Sequence, residues 1–299
     1  MAKKYLFIML LSLITLSSFS GCRKNQSGSA ENSIQIKGSD TMVNLTQSWA
    51  EEFIKTHPRC QLAVTGGGSG TGIGAFISKT CDIVQSSRLM EEKEINQAQK
   101  NGINPVKFIM AMDGIEIVVN PSNPVSKLTM DELRDIFMGT VKNWKYYGGL
   151  DAEIIILSRE VNSGTHVFFK EHVLRKGNNK SKEEFAKEAL LMPSSQGIAD
   201  EVSNNPDAIG YYGMGYDSPK QKVIAVAKNK NAAYYKPTGD NILSNKYPIS
   251  RPLYFYTDNI PSGEIKNFVD FAFSDEGRKI VKAVGFVPLN KNPYKNEKN

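Results

Sequence analysis

Short apolar runs alternate along the chain with longer stretches in which apolar residues recur every three or four positions. The first pattern is typical of buried strands and the second of amphipathic helices. Strands are predicted at residues 33–37, 61–64, 82–85, 154–157, 208–212, 223–226, 251–257 and 285–289, and as two runs within 107–120. Helices are predicted around residues 45–53, 73–77 and 133–137, and at 91–100, 168–174, 183–191, 197–202, 265–272 and 277–284.

The order of these elements predicts a two-lobed α/β protein. Strands that alternate with helices form α/β units with parallel strands. We assign residues 34–115 and 251–299 to a discontinuous first lobe and residues 116–250 to a second, each with a mixed, mostly parallel sheet flanked by helices. The chain is expected to cross between the lobes near residues 115–120 and 245–252, so that a ligand cleft lies between them.

Three strand ends carry Ser, Thr and Gly where a helix begins, at residues 39–41, 69–72 and 163–165. Such helix starts leave backbone N–H groups free, and glycine lets the backbone approach a ligand. In the stretch S-R-E-V-N-S-G-T, Arg159 adds a full positive charge to the partial charge of the helix dipole. Because two of the starts belong to the first lobe and one to the second, the pattern predicts a site for a small oxyanion in the cleft.

The N-terminus has the pattern of an export signal. Two lysines precede an apolar run that is followed by small residues and Cys22. The sequence F-S-G-C resembles the lipobox of bacterial lipoproteins, with Phe19 where leucine is usual; a plain cleaved signal is the alternative. We predict that residues 1–21 are a lipoprotein signal peptide, that Cys22 is lipidated, and that residues 22–33 are a flexible tether. The protein is then expected to be exported and anchored on the periplasmic or cell-surface face of a bacterial membrane.

The composition is ordinary for a globular protein, with 40% hydrophobic and 23% charged residues among 299. No internal apolar run approaches the roughly 18 residues of a membrane span. Loss of residues 1–21 removes two lysines and lowers the net charge from +6 to +4, which is too mild to indicate nucleic-acid binding. Cys60 and Cys81 could form a disulfide in an exported protein, or remain two buried thiols.

The residues that catalysis or cofactor binding would need are missing from the sequence. There are only three histidines, and no Gly-x-Ser-x-Gly or metal-spaced Cys/His/carboxylate cluster occurs. The glycine-rich stretch at residues 65–74 lacks the Lys-Ser/Thr of a P-loop, and no acidic residue ends the next strand to hold a ribose. We therefore predict a protein that is not an enzyme and that needs no cofactor or metal.

Five segments in this order resemble the PstS family, the phosphate-specific substrate-binding proteins of bacterial ABC importers. They are I-K-G-S-D-T-M-V-N-L-T-Q-S-W-A-E-E-F, G-G-G-S-G-T-G, L-T-M-D-E-L-R-D-I-F-M-G-T-V-K-N-W, S-R-E-V-N-S-G-T and S-R-P-L-Y-F-Y-T. The resemblance covers about residues 34–290 and implies a periplasmic-binding-protein-like fold of the second type. It also implies inorganic phosphate as the ligand and the permease subunits of an ABC importer as partners, and we expect a monomer.

The resemblance also implies which residues bind phosphate from the two lobes. The first lobe is expected to contribute Ser39, Asp40, Thr41, Met42, Ser69, Gly70, Ser87 and Arg88, and the second lobe Arg159, Ser163, Gly164 and Thr165. The hydroxyl of Thr41 and the backbone N–H of Met42 occupy the position of the family's first helix start. Charge-assisted and backbone N–H bonds are expected to supply the affinity.

The chain departs from the family at the residue that accepts the proton of monohydrogen phosphate. Many relatives have an aspartate after the third strand, whereas this chain has Ser87 followed by Arg88. Asp40 could accept that proton or cap its helix, and Glu160 is a weaker alternative. Arg88 could be a ligand, part of an ion pair that closes the lobes, or a solvated charge. The departure leaves a sulfate-like oxyanion open as the ligand, and a sensor or adhesin lipoprotein open as the function.

Overall fold

The structure is a computed structural model that describes residues 33–289. The predicted signal peptide, Cys22, nearly all of the predicted tether and residues 290–299 lie outside the described part of the chain. Within that part, every helix is too short or too polar to cross a membrane.

Eleven strands form one large mixed sheet and one small sheet within residues 33–289. The strands are β1 (Ser33–Gly38), β2 (Gln61–Thr65), β3 (Ile83–Ser86), β4 (Pro105–Val119), β5 (Lys127–Thr129), β6 (Ile155–Arg159), β7 (Leu190–Met192), β8 (Ala208–Gly213), β9 (Lys222–Val223), β10 (Ala225–Ala227) and β11 (Ser250–Asp258). The large sheet has the order β2-β1-β3-β11-β4-β8-β6-β7, with β9 beside β4, and β10 pairs with β5. β1 is parallel to β2 and β3, and β6 is parallel to β7 and β8.

Strand β4 joins the two halves of the large sheet. It is one strand of 15 residues, whereas the sequence predicted two runs around Asp113-Gly114. Its first part pairs antiparallel with β11, and its last part, from Ile115, pairs antiparallel with β8. A Cβ atom on Gly114 would lie 2.8 Å from the side chains of Pro237 and Ile242, so this glycine allows close packing and does not end the strand. The prediction of a separate, mostly parallel sheet in each lobe is therefore wrong.

Nine α-helices surround the sheet in the described part of the chain. They are α1 (Val43–Thr56), α2 (Ser69–Ile77), α3 (Glu92–Lys100), α4 (Met130–Phe137), α5 (Gly164–Phe169), α6 (Ser195–Asn204), α7 (Gly239–Leu243), α8 (Gly263–Ala272) and α9 (Asp275–Ala283). A π-helical turn at Lys170–Leu174 continues α5. Thr129 and Glu132 form a capping box at the start of α4, and Ser194 caps α6 by accepting from the backbone N–H of Gly197.

Four hydrophobic clusters pack the helices against both faces of the sheet. Consecutive side chains of a strand point to opposite faces, so Tyr254 and Phe255 of β11 belong to different clusters, as do Tyr211 and Tyr212 of β8. Two clusters contain only residues from 34–111 and 253–286. The other two contain residues from 115–249 together with Val287.

The first two clusters cover one part of the sheet, which we call the first half: β1, β2, β3, β11 and the start of β4. The other two clusters cover the second half: the end of β4, β6, β7 and β8. The described residues nevertheless form one compact unit. The division into two separate domains therefore stays a prediction.

Two predictions of local structure are wrong. Residues 183–189 are not helical: Phe185 stacks in an irregular segment against Phe169 and Tyr211, and the segment leads into strand β7. Residues 285–289 form no strand, and only Val287 makes a single antiparallel bridge, to Met112. The short helix α7, which follows its cap Thr238, lies in a polar stretch where the sequence pattern predicts no element.

Candidate oxyanion-binding site

The carboxyl ends of β1, β2 and β3 bring three serine hydroxyls together. The three strands are parallel neighbours, so the turns that follow them lie at one edge of the sheet. Ser39 Oγ donates to Ser87 Oγ at 2.9 Å, and Ser69 Oγ lies 3.3 Å from Ser87 Oγ. The backbone N–H of Ser87 also donates to Ser69 Oγ at 3.0 Å. All three serines are almost completely buried.

The second half of the sheet contributes the start of α5 to the same place. Thr165 Oγ1 lies 2.9 Å from Thr41 Oγ1, so hydroxyls from the two halves are in direct contact. A Cβ atom on Gly164 would lie 2.3 Å from Ser69 Oγ and 2.7 Å from Ser87 Oγ. Only glycine allows this close approach, and its N–H, at the first position of the helix, has no intrahelical partner.

Ser163 acts as the N-cap of α5. Its Oγ accepts from the backbone N–H groups of Thr165 at 3.2 Å and His166 at 3.4 Å. The predicted hydroxyl ligand therefore has a structural role at the helix start, which holds Gly164 and Thr165 against the serines.

Arg159 reaches across the two halves to Asp40. Its Nη1 donates to Asp40 Oδ2 at 3.1 Å and to Ser195 Oγ at 2.8 Å, and its Nη2 donates to the backbone oxygen of Pro193 at 3.0 Å. Asp40 Oδ2 also accepts from the backbone N–H of Ser195 at 2.7 Å. Asp40 therefore contacts the start of α6. It lies in a short 3-10 turn, Asp40–Met42, and no side chain caps that turn.

A second buried arginine lies at the centre of the site, and the sequence analysis did not select it. Arg251 on β11 is 2% exposed and donates from Nε and Nη2 to Asp113 Oδ2, at 3.0 and 2.9 Å. It also donates to Thr165 Oγ1 at 2.9 Å and to the backbone oxygen of Ser87 at 3.0 Å. Burial raises the pKa of Asp113, and the charge and hydrogen bonds of Arg251 oppose this rise. The only signal in the sequence is a charged residue in the otherwise uncharged strand S-R-P-L-Y-F-Y-T.

Arg88 does not join this cluster. Its Nη1 and Nη2 atoms form a two-point ion pair with Glu94 at 2.7 Å each, and Nη1 also donates to the backbone oxygen of Leu89. Glu94 belongs to α3 in the same half of the sheet, so the pair does not close the halves. The guanidinium is bonded away from the hydroxyls, and a role of Arg88 as a ligand stays a prediction.

Two of the predicted backbone donors are already bonded within the protein. The N–H of Met42 donates to the backbone oxygen of Ser39 at 3.1 Å, and that of Gly70 donates to the backbone oxygen of Asn162 at 2.9 Å. Asn162 Nδ2 in turn donates to the backbone oxygen of Gly67 at 2.9 Å. Asn162 therefore ties the loop before α5 to the glycine-rich turn before α2, and neither N–H is free in this arrangement.

Two further titratable residues near the cluster are His166 and Glu160. Burial lowers the pKa of His166 to about 4, and its Nδ1 lies 2.8 Å from the backbone oxygen of Arg159. Because a carbonyl oxygen only accepts, Nδ1 must carry the proton. Glu160, the weaker alternative for accepting a ligand proton, is exposed. Within residues 33–289, no three Cys, His or carboxylate groups are arranged to hold a metal ion.

The two cysteines of the described chain are free, buried thiols. Cys60 belongs to the cluster around α1, whereas Cys81 belongs to the cluster between α2 and α3. Burial raises the pKa of Cys81 to about 12, which makes the thiol unreactive. The disulfide that the sequence left open is therefore absent, and the alternative of two isolated thiols is correct.

Comparison with known proteins identifies the family. The profile of the PBP superfamily domain matches residues 25–276. The phosphate-binding protein PstS of Pseudomonas aeruginosa is 31% identical over 84% of this chain and 81% of its own. The phosphate-binding protein PstS of Bacillus subtilis is 30% identical over 97% of this chain and 95% of its own.

Solved structures give the same result. A protein of Clostridium perfringens crystallised with bound phosphate has a TM-score of 0.77 and 29% identity, and the match covers 87% of this chain and 100% of that one. An ABC-type phosphate transport receptor of Vibrio cholerae has a TM-score of 0.68 and 31% identity, over 86% of this chain and 100% of that one. These relatives are binding proteins and not enzymes. The chain therefore belongs to the PBP superfamily and, within it, to the PstS-like phosphate-binding proteins.

Proposed function

We propose that this protein captures inorganic phosphate between the two halves of its sheet and delivers it to the permease of an ABC importer. One observation carries the proposal: hydroxyls from both halves meet a buried arginine in one cluster, formed by Ser39, Thr41, Ser69, Ser87, Thr165 and Arg251. A second buried arginine, Arg159, is held beside it by Asp40 and Ser195. The PstS proteins of P. aeruginosa and B. subtilis are named for phosphate binding, and the C. perfringens protein holds phosphate.

The hydroxyls suit a small oxyanion because they can exchange partners. Each serine or threonine hydroxyl has one proton that rotates, so bonds between hydroxyls can be replaced by bonds to ligand oxygens. The N–H of Gly164 adds a fixed donor, and Arg159 adds positive charge from the second half. The cluster is buried, and low polarity around it strengthens each of these bonds.

The halves of the sheet are proposed to open and close around the ligand. Strand β4 runs from the first half into the second, and the chain returns to the first half between Ile249 and Leu253, where β11 begins, so these two segments are the natural hinge. The bonds of Asn162 to Gly67 and Gly70 join the halves at the rim of the cluster. The closed arrangement is the form that we expect to dock on the permease.

Selection of phosphate over sulfate requires a group that accepts the ligand's proton, because a buried unpaired proton donor is costly. With serine at position 87, Asp40 is the proposed acceptor. Its bonds to Arg159 and to the N–H of Ser195 both fall on Oδ2. The other oxygen, Oδ1, accepts no bond from residues 33–289 and keeps its lone pairs for a protonated ligand oxygen.

Isothermal titration calorimetry with phosphate and sulfate tests the function. We expect the purified protein to bind phosphate tightly and sulfate much more weakly, and Arg159→Ala to weaken phosphate binding about a hundredfold through loss of a charge-assisted pair. Lys145→Ala, which removes an exposed cation outside the cluster, is the control. Equal affinity for sulfate would favour a general oxyanion carrier, and no heat with either anion would favour a sensor or adhesin.

We also propose that the mature protein is exported and anchored through a lipid on Cys22. The support is the lipobox-like F-S-G-C sequence, which lies outside the described residues. Mass spectrometry of protein extracted from the membrane fraction should find an N-terminal peptide that begins at a lipidated Cys22. If the wild-type protein and Cys22→Ser both appear in the soluble fraction with unmodified N-termini, the anchor is excluded.

A further inference from the structure

Arg251 and Asp113 join β11 to β4, the strand that runs from the first half of the sheet into the second. They lie opposite each other in the β11–β4 pairing, and both side chains are almost fully buried. Asp113 Oδ2 accepts two bonds from Arg251, and Oδ1 accepts from the backbone N–H of Met214 at 3.1 Å. Asp113 therefore accepts three hydrogen bonds, two of them from Arg251, and it holds that arginine in place.

The rest of the guanidinium faces the hydroxyl cluster. Nη2 donates to Thr165 Oγ1 at 2.9 Å and lies 3.5 Å from Thr41 Oγ1, and Nη1 donates to the backbone oxygen of Ser87. The ring of Phe168 lies 5.4 Å from the guanidinium carbon, on the face of the group. Arg251 is thus fixed by contacts from both halves and touches a threonine of each.

This arrangement controls which way the Thr165 hydroxyl points. Arginine can only donate, so a hydroxyl that accepts from it must direct its own proton elsewhere. Thr41 and Thr165 share one hydrogen bond, which uses only one of their two protons. The two protons of Nη2 go to Asp113 and Thr165, so Thr165 is the hydroxyl that the arginine orients. Arg251 takes one lone pair of Thr165 Oγ1 and Thr41 can take the other, so a ligand beside Thr165 meets its proton.

We infer that Arg251, held by Asp113, is a positioning residue that turns Thr165 into a hydrogen-bond donor and so selects the doubly charged form of phosphate. The singly charged form has one more P–OH group, which would need an acceptor that Thr165 no longer offers. The inference rests on the proposed function, since it concerns the same site.

Few other groups near Arg251 can change charge around neutral pH. The ionisable groups that interact with it include Asp113, Arg159, Tyr211 and Tyr254, and burial raises the pKa of Tyr254. Burial raises the pKa of Tyr211 and lowers that of His166, the next residue after Thr165, to about 4. A change in affinity between pH about 6 and about 8 therefore reports mainly on the ionisation of phosphate itself.

The test replaces the ion pair by a neutral pair of similar shape. Asp113→Asn with Arg251→Gln leaves no buried charge unpaired, so the protein should fold. Calorimetry with phosphate at the two pH values should give about ten- to a hundredfold weaker binding, as expected when a charged hydrogen bond is lost. The ratio of affinities at high and low pH should also fall towards one, because the freed hydroxyl can accept from the singly charged form. A ratio equal to that of the wild-type protein in a folded variant overturns the inference.

Two further proteins complete the experiment. The control variant is Arg134→Gln with Glu183→Gln. These residues form an ion pair of 2.8 Å in the second half, outside the cluster. The control should bind phosphate like the wild type at both pH values. Should the neutral pair not fold, Arg251→Lys keeps the charge but loses the planar fork, and wild-type affinity in that variant contradicts the positioning role. If the wild-type protein gives no heat with phosphate, the proposed function itself fails and the inference falls with it.

Discussion

Arg159 and Asp40 form an ion pair of 3.1 Å between the end of strand β6 and the turn that follows strand β1. The arginine is 1% exposed, and the aspartate also accepts from the backbone N–H of Ser195 at the start of α6. The pair therefore joins the two halves of the sheet beside the hydroxyl cluster. Asp40 is thus the partner of Arg159, and its oxygen Oδ1 is the proposed acceptor of the ligand's proton.

Replacement of Asp40 by asparagine tests both roles. Loss of one partner of a buried ion pair costs about 3–5 kcal/mol, so the variant should unfold at lower denaturant concentration. If Asp40 accepts the proton of phosphate, the ratio of phosphate to sulfate affinity should also fall about tenfold or more. Denaturant titration measures the first effect, and calorimetry with both anions measures the second.

Asp82→Asn is the matched control for that variant. Asp82 Oδ2 also accepts a backbone N–H, that of Gln35 at 2.7 Å, but it lies outside the cluster. We expect Asp82→Asn to leave the phosphate-to-sulfate ratio unchanged. A wild-type ratio in Asp40→Asn would mean that another group accepts the ligand's proton.

Gly164→Ala should block the site with little effect on the fold. The added methyl group would lie 2.3 Å from Ser69 Oγ, inside the space that the hydroxyls share. Overpacking of this kind costs about 1–3 kcal/mol, whereas phosphate affinity should fall more than about a hundredfold, because several donors are displaced at once. Calorimetry and thermal denaturation together separate the two effects.

Gly74→Ala provides the comparison, because it places the same methyl group within α2 where no atom lies within 4 Å. Alanine is favoured over glycine in a helix by about 1 kcal/mol, so this variant should be slightly more stable and bind normally. Normal binding by Gly164→Ala as well would show that the ligand does not approach the start of α5.

Glu116 should make the protein less stable as the pH rises. Burial raises the pKa of Glu116 to about 9, and the charge of Asp217 adds to the rise. One of its oxygens, Oε2, is buried without a hydrogen-bond partner. The folded protein therefore keeps this proton between pH about 4.5 and about 9 while the unfolded chain releases it, so stability falls across that window by at most about 1.4 kcal/mol per pH unit.

Denaturant titrations of the wild-type protein and Glu116→Gln at pH about 5, 7 and 8.5 check this expectation. The variant has no proton to lose, so its stability should depend less steeply on pH. Glu51→Gln changes an exposed residue and should keep the wild-type slope. Identical slopes for the wild-type protein and Glu116→Gln would show that the carboxyl ionises normally in the fold.

The sequence revealed those parts of the site that depend on local pattern. Residues 39–41 and 163–165 follow strands and open helices, and this short-range pattern can be read without knowing the sheet order. Arg159 was found because it stands at the end of such a strand. The sequence does not show that Glu94, in the capping box of α3, pairs with both ends of the Arg88 guanidinium.

The parts that sequence reasoning missed depend on pairing across the fold. Arg251 lies within a strand, and its role follows from the register that places it opposite Asp113 and from the approach of Thr165 from the other half. Neither relationship has a local signature. The single long strand β4 was missed for a related reason, since Gly114 suggests a break until the packing of Pro237 and Ile242 against it is known.

The most direct test of the account removes the two hydroxyls that meet across the halves of the sheet. Thr41→Val with Thr165→Val keeps the shape of both side chains and removes the donors, whose oxygens lie 2.9 Å apart. Calorimetric titration with phosphate should show tight binding by the wild-type protein and at least a hundredfold weaker binding by the double variant, which loses two hydrogen bonds to a charged ligand of about 1.5–3 kcal/mol each. Equal phosphate affinity in the two folded proteins would contradict the claim that this cluster is where the ligand binds.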